Sequence, residues 1–141
     1  AGAAGDGQLG VAVGLVDVGM CHGPAAPETV VEAMQTVAAY VLFGRYEMLQ
    51  CVLLEAWSTG LPALATNVGG VGEHLGRHAE LGVLLESEDE KGLTAAIGQW
   101  SDRKKRGEGP DEIAIAAYAA KRFTEQAVGS AIVAAYRSVL C

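Results

Sequence analysis

The sequence has few cysteines, and none are paired at metal or redox spacing. Cys21, Cys51 and Cys141 are odd in number and far apart, and no Cys-x-x-Cys occurs. They give no disulfide or metal signature and fit a reduced compartment. Cys51 lies in an apolar helical run, where buried packing is the default role of a thiol. Long hydrophobic runs are missing as well. None reaches membrane-spanning length, and no signal-peptide pattern opens the chain. Positive charge is scarce: 10 Lys and Arg face 17 Asp and Glu, for a net charge of −7 and a pI near 4.8. Such a surface repels phosphate backbones and argues against general nucleic-acid binding. The one basic run, Arg103 to Arg106, is expected to be a solvated loop between two helical patterns. An initiator Met is also lacking, and the opening Ala-Gly-Ala-Ala-Gly-Asp-Gly reads as the start of a piece of a larger protein.

What is present is apolar and patterned. Half of the 141 residues are hydrophobic, which speaks against disorder and allows one domain, 1–141, with a real core. Pro27 at a first-turn position with Glu28 beside it opens a helix over 27–36, with Val30, Val31 and Met34 on one face. The continuous run 38–43 ends at Gly44 and reads as a strand covered on both faces. Residues 51–58 read as a helix stopped by Gly60 and Pro62. Short strands are expected at 62–66 and 82–85. Ser87 and Glu90 form a capping-box pattern for a helix to Trp100, with Leu93, Ala96, Ile97 and Trp100 on one face. Pro110 is expected to start a helix through Ala120. A last helix carries Ala127, Val128, Ala131, Ile132, Ala135 and Val139 at three- and four-residue spacing. Strands alternating with helices predict an α/β fold, a Rossmann-like doubly wound parallel sheet, followed by two helices with no strand between them. Those two helices are expected to cover a sheet face or to reach toward a partner domain.

In such sheets ligands bind beyond the carboxyl ends of the strands. The loop 44–50 follows the strand at 38–43, and the loop Asn67 to Gly72 follows the strand at 62–66, so both belong to one edge. The helix after Glu47 begins near Met48, Leu49, Gln50 and Cys51. Its first N–H groups lack intrahelical partners and carry partial positive charge, which suits a diphosphate. Gly69 and Gly70 allow backbone to approach a ligand without a Cβ clash. Glu47 and Glu55 stand about 12 Å apart if helical throughout. That span lets each grip hydroxyls but exceeds the about 5–10 Å of a glycosidase acid/base pair. Taken singly, Glu47 reads as a helix-start carboxylate and Glu55 as a surface glutamate. The glycine loop on the same edge favours a shared site.

Residues 45–73, Arg-Tyr-Glu-x7-Glu-Ala-Trp-x-Thr-Gly-Leu-Pro-Ala-x-Ala-Thr-Asn-Val-Gly-Gly-Val-x-Glu, resemble the C-terminal half of a GT-B glycosyltransferase of family 4, the group 1 glycosyl transferases. The family's Glu-x7-Glu motif matches Glu47 and Glu55. Its small-Gly-x-Pro turn matches Thr59, Gly60 and Pro62, and its Thr-Asp/Asn-Val-Gly-Gly stretch matches Thr66 to Gly70. Flanking likenesses at Gly5 to Leu9, His22 to Val30 and Glu80 to Ile97 extend it over nearly the whole chain. The resemblance implies one half of a GT-B fold, and a retaining hexosyltransferase using a nucleotide-diphosphate sugar, with no obligatory metal and no cofactor. It implies that Glu47 contacts the donor sugar as the catalytic glutamate. Glu55 would take the ribose hydroxyls, and the N–H groups of Met48 to Cys51 the leaving diphosphate. Asn67, Gly69 and Gly70 would complete the donor site. It implies an N-terminal acceptor-binding domain, absent from this chain, as partner, and a cytoplasmic parent enzyme that is at most membrane-peripheral. Phe43 and Gly44 replace the usual Pro-Ser, and Met48, Leu49 and Gln50 replace the common Gly-Phe-Gly; Glu47 to Cys51 is closer to the branch with Asn-x-Pro-Cys. Backbone donors survive these changes, but the family's upstream Gly-Arg and Lys-Gly, which neutralise the diphosphate, and the acceptor domain are not in this chain, so the isolated chain is expected not to turn over.

Other readings compete. The alternative is a non-catalytic Rossmann-like module kept for binding or oligomerisation. Gly5 to Gly10 fits Gly-x-Gly-x-x-Gly, but only four residues precede it and the residues after it make a poor helix, so a dinucleotide domain is a weak reading. His74 and His78 at i, i+4, with Glu73, suggest a metal pair, but Gly76 interrupts them and no third ligand is evident. A structural or surface role is the expectation there.

Overall fold

The computed structural model describes residues 11–13, 18–19, 27–45, 51–86 and 90–140. The strands are β1 (Val11–Val13), β2 (Val18–Gly19), β3 (Ala39–Leu42), β4 (Ala63–Thr66) and β5 (Gly82–Leu85). The helices are α1 (Pro27–Thr36), α2 (Cys51–Ser58), α3 (Val71–Leu75), α4 (Glu90–Lys105), α5 (Glu112–Phe123) and α6 (Glu125–Leu140), with a 3-10 turn at Ala79–Leu81. They form one sheet in the order β2-β1-β3-β4-β5.

The expected parallel core is β3-β4-β5, with Val41 opposite Leu64 and Leu64 opposite Val83. Each strand enters after a helix, so each connection is a crossover. β3 and β4 are buried along their whole length, because helices lie on both faces. Side-chain alternation divides the core into two layers. Tyr40, Leu42, Ala63 and Ala65 meet Leu53, Ala56 and Trp57 of α2 and Ile115 and Ala119 of α5. Ala39, Val41 and Leu64 meet Ala96 and Trp100 of α4. This is the doubly wound arrangement that the pattern predicts.

The sheet also has a part that the pattern did not reveal. β1 pairs antiparallel with β3, and β2 pairs antiparallel with β1. Only four residues separate β1 from β2, too few for the crossover that parallel pairing requires.

The end of α2 is the stop that the sequence predicts. Leu61 N–H donates to Ala56 O at 2.9 Å, Gly60 N–H donates to Trp57 O at 3.0 Å, and Gly60 takes φ +81°. This is a Schellman cap, which calls for glycine at the left-handed position. A Cβ on Gly60 would also lie 2.7 Å from the carbonyl oxygen of Glu112, so the end of α2 rests on the start of α5.

Two helix boundaries differ from expectation. The basic run is not a loop: Arg103, Lys104 and Lys105 form the last turn of α4, where cations complement the negative helix end. Pro110 lies ahead of α5. Asp111 is the N-cap instead, its carboxylate accepting from Ile113 N and Ala114 N, both at 3.0 Å, and the helix runs on to Phe123. Ser87 of the expected capping box lies outside the described residues, and Glu90 opens α4.

Candidate functional site

Parallel pairing brings the segments that follow β3, β4 and β5 to one edge of the sheet. The join between the first two is made by a single buried hydroxyl. Thr66, the last residue of β4, is 1% exposed. Its Oγ1 accepts from Gly44 N at 3.2 Å and lies 2.9 Å from Gly44 O, to which it donates, with Leu42 O at 3.5 Å as a weaker partner. A hydroxyl offers one donor and two acceptor sites, so both polar groups of the Gly44 backbone are satisfied by one side chain. The chain therefore leaves β3 through a Gly44 backbone that is fixed in place.

Glu47, Met48, Leu49 and Gln50 lie outside the described residues. Cys51 is the first described residue of α2 and is exposed, not buried as its apolar run predicts, because Leu53, Ala56 and Trp57 take the core face of the helix. Among the described residues, the first turn of α2 holds no acidic side chain. Leu53, Ala56 and Trp57 face the core, while Cys51, Glu55 and Ser58 face solvent. Cys51 and Glu55 thus share a stripe at i, i+4, with Glu55 about 6 Å further along the axis.

Asn67 and the glycines follow β4. Asn67 N donates to Leu85 O at 2.7 Å, and its Nδ2 donates to the Glu86 carboxylate at 3.1 Å, which ties the end of β4 to the end of β5. Val68 N donates to Thr66 O at 2.9 Å and Val71 N to Val68 O at 3.1 Å. Between them Gly69 takes φ +52°, a left-handed value that reverses the chain tightly before α3. Gly70 is the N-cap of α3, with no side-chain cap bond. The structure therefore gathers Thr66, Asn67, Gly69 and Gly70 at the edge where α2 begins.

Three residues at this edge were not singled out from the sequence. Gly44 and Glu86 are signalled only by position, just beyond the ends of β3 and β5. Gly72 is signalled by being a third glycine after the pair. A Cβ there would lie 2.1 Å from Asn67 Oδ1, so its bareness seats the Asn67 amide.

The histidines belong elsewhere. His74 Nδ1 pairs with the Tyr118 hydroxyl at 2.7 Å and His78 Nδ1 with the Glu80 carboxylate at 3.1 Å. Trp57, His74, Tyr118 and Phe123 form one ring cluster, with His74 and Phe123 centroids 5.4 Å apart. Arg122 lies over Tyr118 at 4.7 Å. Trp57 Nε1 donates to Leu81 O at 3.3 Å, just ahead of β5, so the cluster lies toward the edge where strands begin. Burial lowers the His74 pKa, assisted by the nearby Arg122 cation, and burial raises that of Tyr118. Their role is packing between α2, α3 and α5. Among the described residues, no group of three or more His, Cys, Asp or Glu is placed to hold a metal ion. No helix among them is long and apolar enough to cross a membrane.

Comparison with known proteins agrees with this architecture. Residues 5–103, more than half of the 141, match the family described as Glycosyl transferases group 1. The chain is 31% identical over 120 residues to a D-inositol 3-phosphate glycosyltransferase of Corynebacterium urealyticum. That alignment covers 82% of this chain and 27% of the relative, so the chain spans about a quarter of the relative's length. No solved structure matches.

Proposed function

This chain belongs to the group 1 glycosyl transferases, and from that premise we propose that it is the donor-binding part of a retaining hexosyltransferase that uses a nucleotide-diphosphate sugar. The observation that supports this reading most directly is the Thr66 bridge. It ties the exit of β3, at Gly44, to the end of β4, where the glycine turn begins. In this reading the nucleotide diphosphate lies at that edge. The N–H groups of Met48 to Cys51 stabilise the leaving diphosphate as charge develops on it, a preorganised electrostatic role. Glu47 holds hydroxyls of the donor sugar and Glu55 those of the ribose. Asn67, Gly69 and Gly70 form the loop that closes over the donor. No cofactor is called for. The acceptor is held by a second domain outside this chain, and the parent protein works in the cytoplasm or against a membrane surface.

The test is a calorimetric titration of the chain with UDP, GDP, ADP and NAD, repeated on Glu55→Ala. One nucleoside diphosphate is expected to bind. Loss of charge-assisted bonds to the ribose, about 1.5–3 kcal/mol each, weakens it tenfold or more in the variant. Unchanged affinity in Glu55→Ala removes that residue from the site, and preference for NAD removes the donor reading.

A second reading, a non-catalytic binding or oligomerisation module, draws on α6. None of its residues is buried, and Ile132, Tyr136 and Val139 are exposed. Absence of nucleotide binding together with self-association in sedimentation would favour it.

A further inference from the structure

We infer that Asn67 is a positioning residue, a latch that fixes the shape of the glycine turn instead of touching the ligand. The inference rests on the donor-site reading above for its functional consequence. Both ends of the Asn67 amide are already placed. Nδ2 is hydrogen-bonded to the Glu86 carboxylate, and Oδ1 occupies the space that a side chain at position 72 would fill. Its own backbone N–H is bonded to Leu85 O. Asn67 therefore links β4, the end of β5 and the first turn of α3. The residues it encloses are Val68 to Val71, whose turn contains the left-handed Gly69. Leu85 and Glu86 act as the anchor because β5 is held in parallel register beside β4, with Thr66 opposite Leu85. Glu86 is thus a second positioning residue, and Gly72 is the seat.

A latch and a direct ligand contact at Asn67 respond differently to substitution. A latch is broken equally by removing either partner, so the variants do not add; a ligand contact at Asn67 and an unrelated change at Glu86 would add. The experiment measures two quantities on the chain and on Asn67→Ala, Glu86→Ala, the double variant, Glu86→Gln and Gly72→Ala. One is affinity for the nucleoside diphosphate identified by titration. The other is amide hydrogen exchange at Val68 and Val71. Each alanine variant at 67 or 86 is expected to lose affinity by about threefold to tenfold, the range for one partly screened hydrogen bond. Exchange at Val68 and Val71 speeds up in parallel, and the double variant is no worse than either single one. Glu86→Gln keeps an acceptor and stays close to wild type. Gly72→Ala pushes the amide off its seat and reproduces Asn67→Ala. Additive losses, or lost affinity with unchanged exchange, would overturn the latch in favour of a direct contact. If the wild-type chain binds no nucleoside diphosphate, the donor reading falls, and exchange alone decides: faster, non-additive exchange upholds the latch and unchanged exchange overturns it.

Discussion

Helices α5 and α6 follow one another, both alternate alanine with larger apolar residues, and both show helical spacing. Their surroundings are opposite. Helix α5 has a carboxylate cap at Asp111, lies across the end of α2 at Gly60, and buries Ile115 and Ala119 completely. Helix α6 meets α5 yet buries no residue, and Ile132 remains 51% exposed. Periodicity states that an apolar face exists. It does not state what covers it, because the partner comes from elsewhere in the fold.

Matched substitutions test this contrast. The largest effect is expected from Ile115→Ala, which opens a cavity in the core where α5 packs on α2 and costs about 2–5 kcal/mol of unfolding free energy. Urea denaturation measures it. Asp111→Ala, which leaves the N–H groups of Ile113 and Ala114 without their carboxylate, is expected to cost about 1 kcal/mol by the same measurement. A pH series addresses α5 from the side of α3. The folded-state pKa of His74 is below the ordinary 6.5 of the free side chain. In acid the unfolded chain therefore binds the proton more readily, so this contribution is intact above pH 6.5 and declines as pH falls below it toward the folded value. Urea midpoints at pH 7.5 and 5.5 should differ in wild type, and by less in His74→Gln. The smallest effect is expected from Ile132→Ala on α6, within about 0.5 kcal/mol. A loss comparable to that of Ile115→Ala would mean that α6 is covered in solution.

Much of the fold was legible. Pro27 at the head of α1 and Gly60 at the tail of α2 set boundaries that the structure repeats, because local backbone geometry decides them. The run of α4 beyond Trp100 was missed because four cations look like solvated loop, although the end of a helix suits them. β1 and β2 were missed because three and two residues are too short to display a period. The edge that carries the candidate site was legible from topology, and so were Asn67, Gly69 and Gly70 as the residues that follow β4 there. Their partners were not. Thr66 with Gly44, and Asn67 with Glu86, lie 22 and 19 residues apart. Only the parallel register of β3, β4 and β5 brings them together.

The two layers of the core carry one indole each. Trp57 is on α2, hydrogen-bonded to Leu81 O, with its ring 5.8 Å from that of His74. Trp100 is on α4 beneath the opposite face of the sheet, with Arg103 over it at 5.8 Å. These are the chain's two tryptophans, so its indole emission is the sum of one fluorophore per face. Replacing Trp100 by Phe leaves a single indole, on α2. Its emission then serves as a label-free probe both of the charge on the neighbouring imidazole and of the nucleotide proposed to bind at the other end of α2.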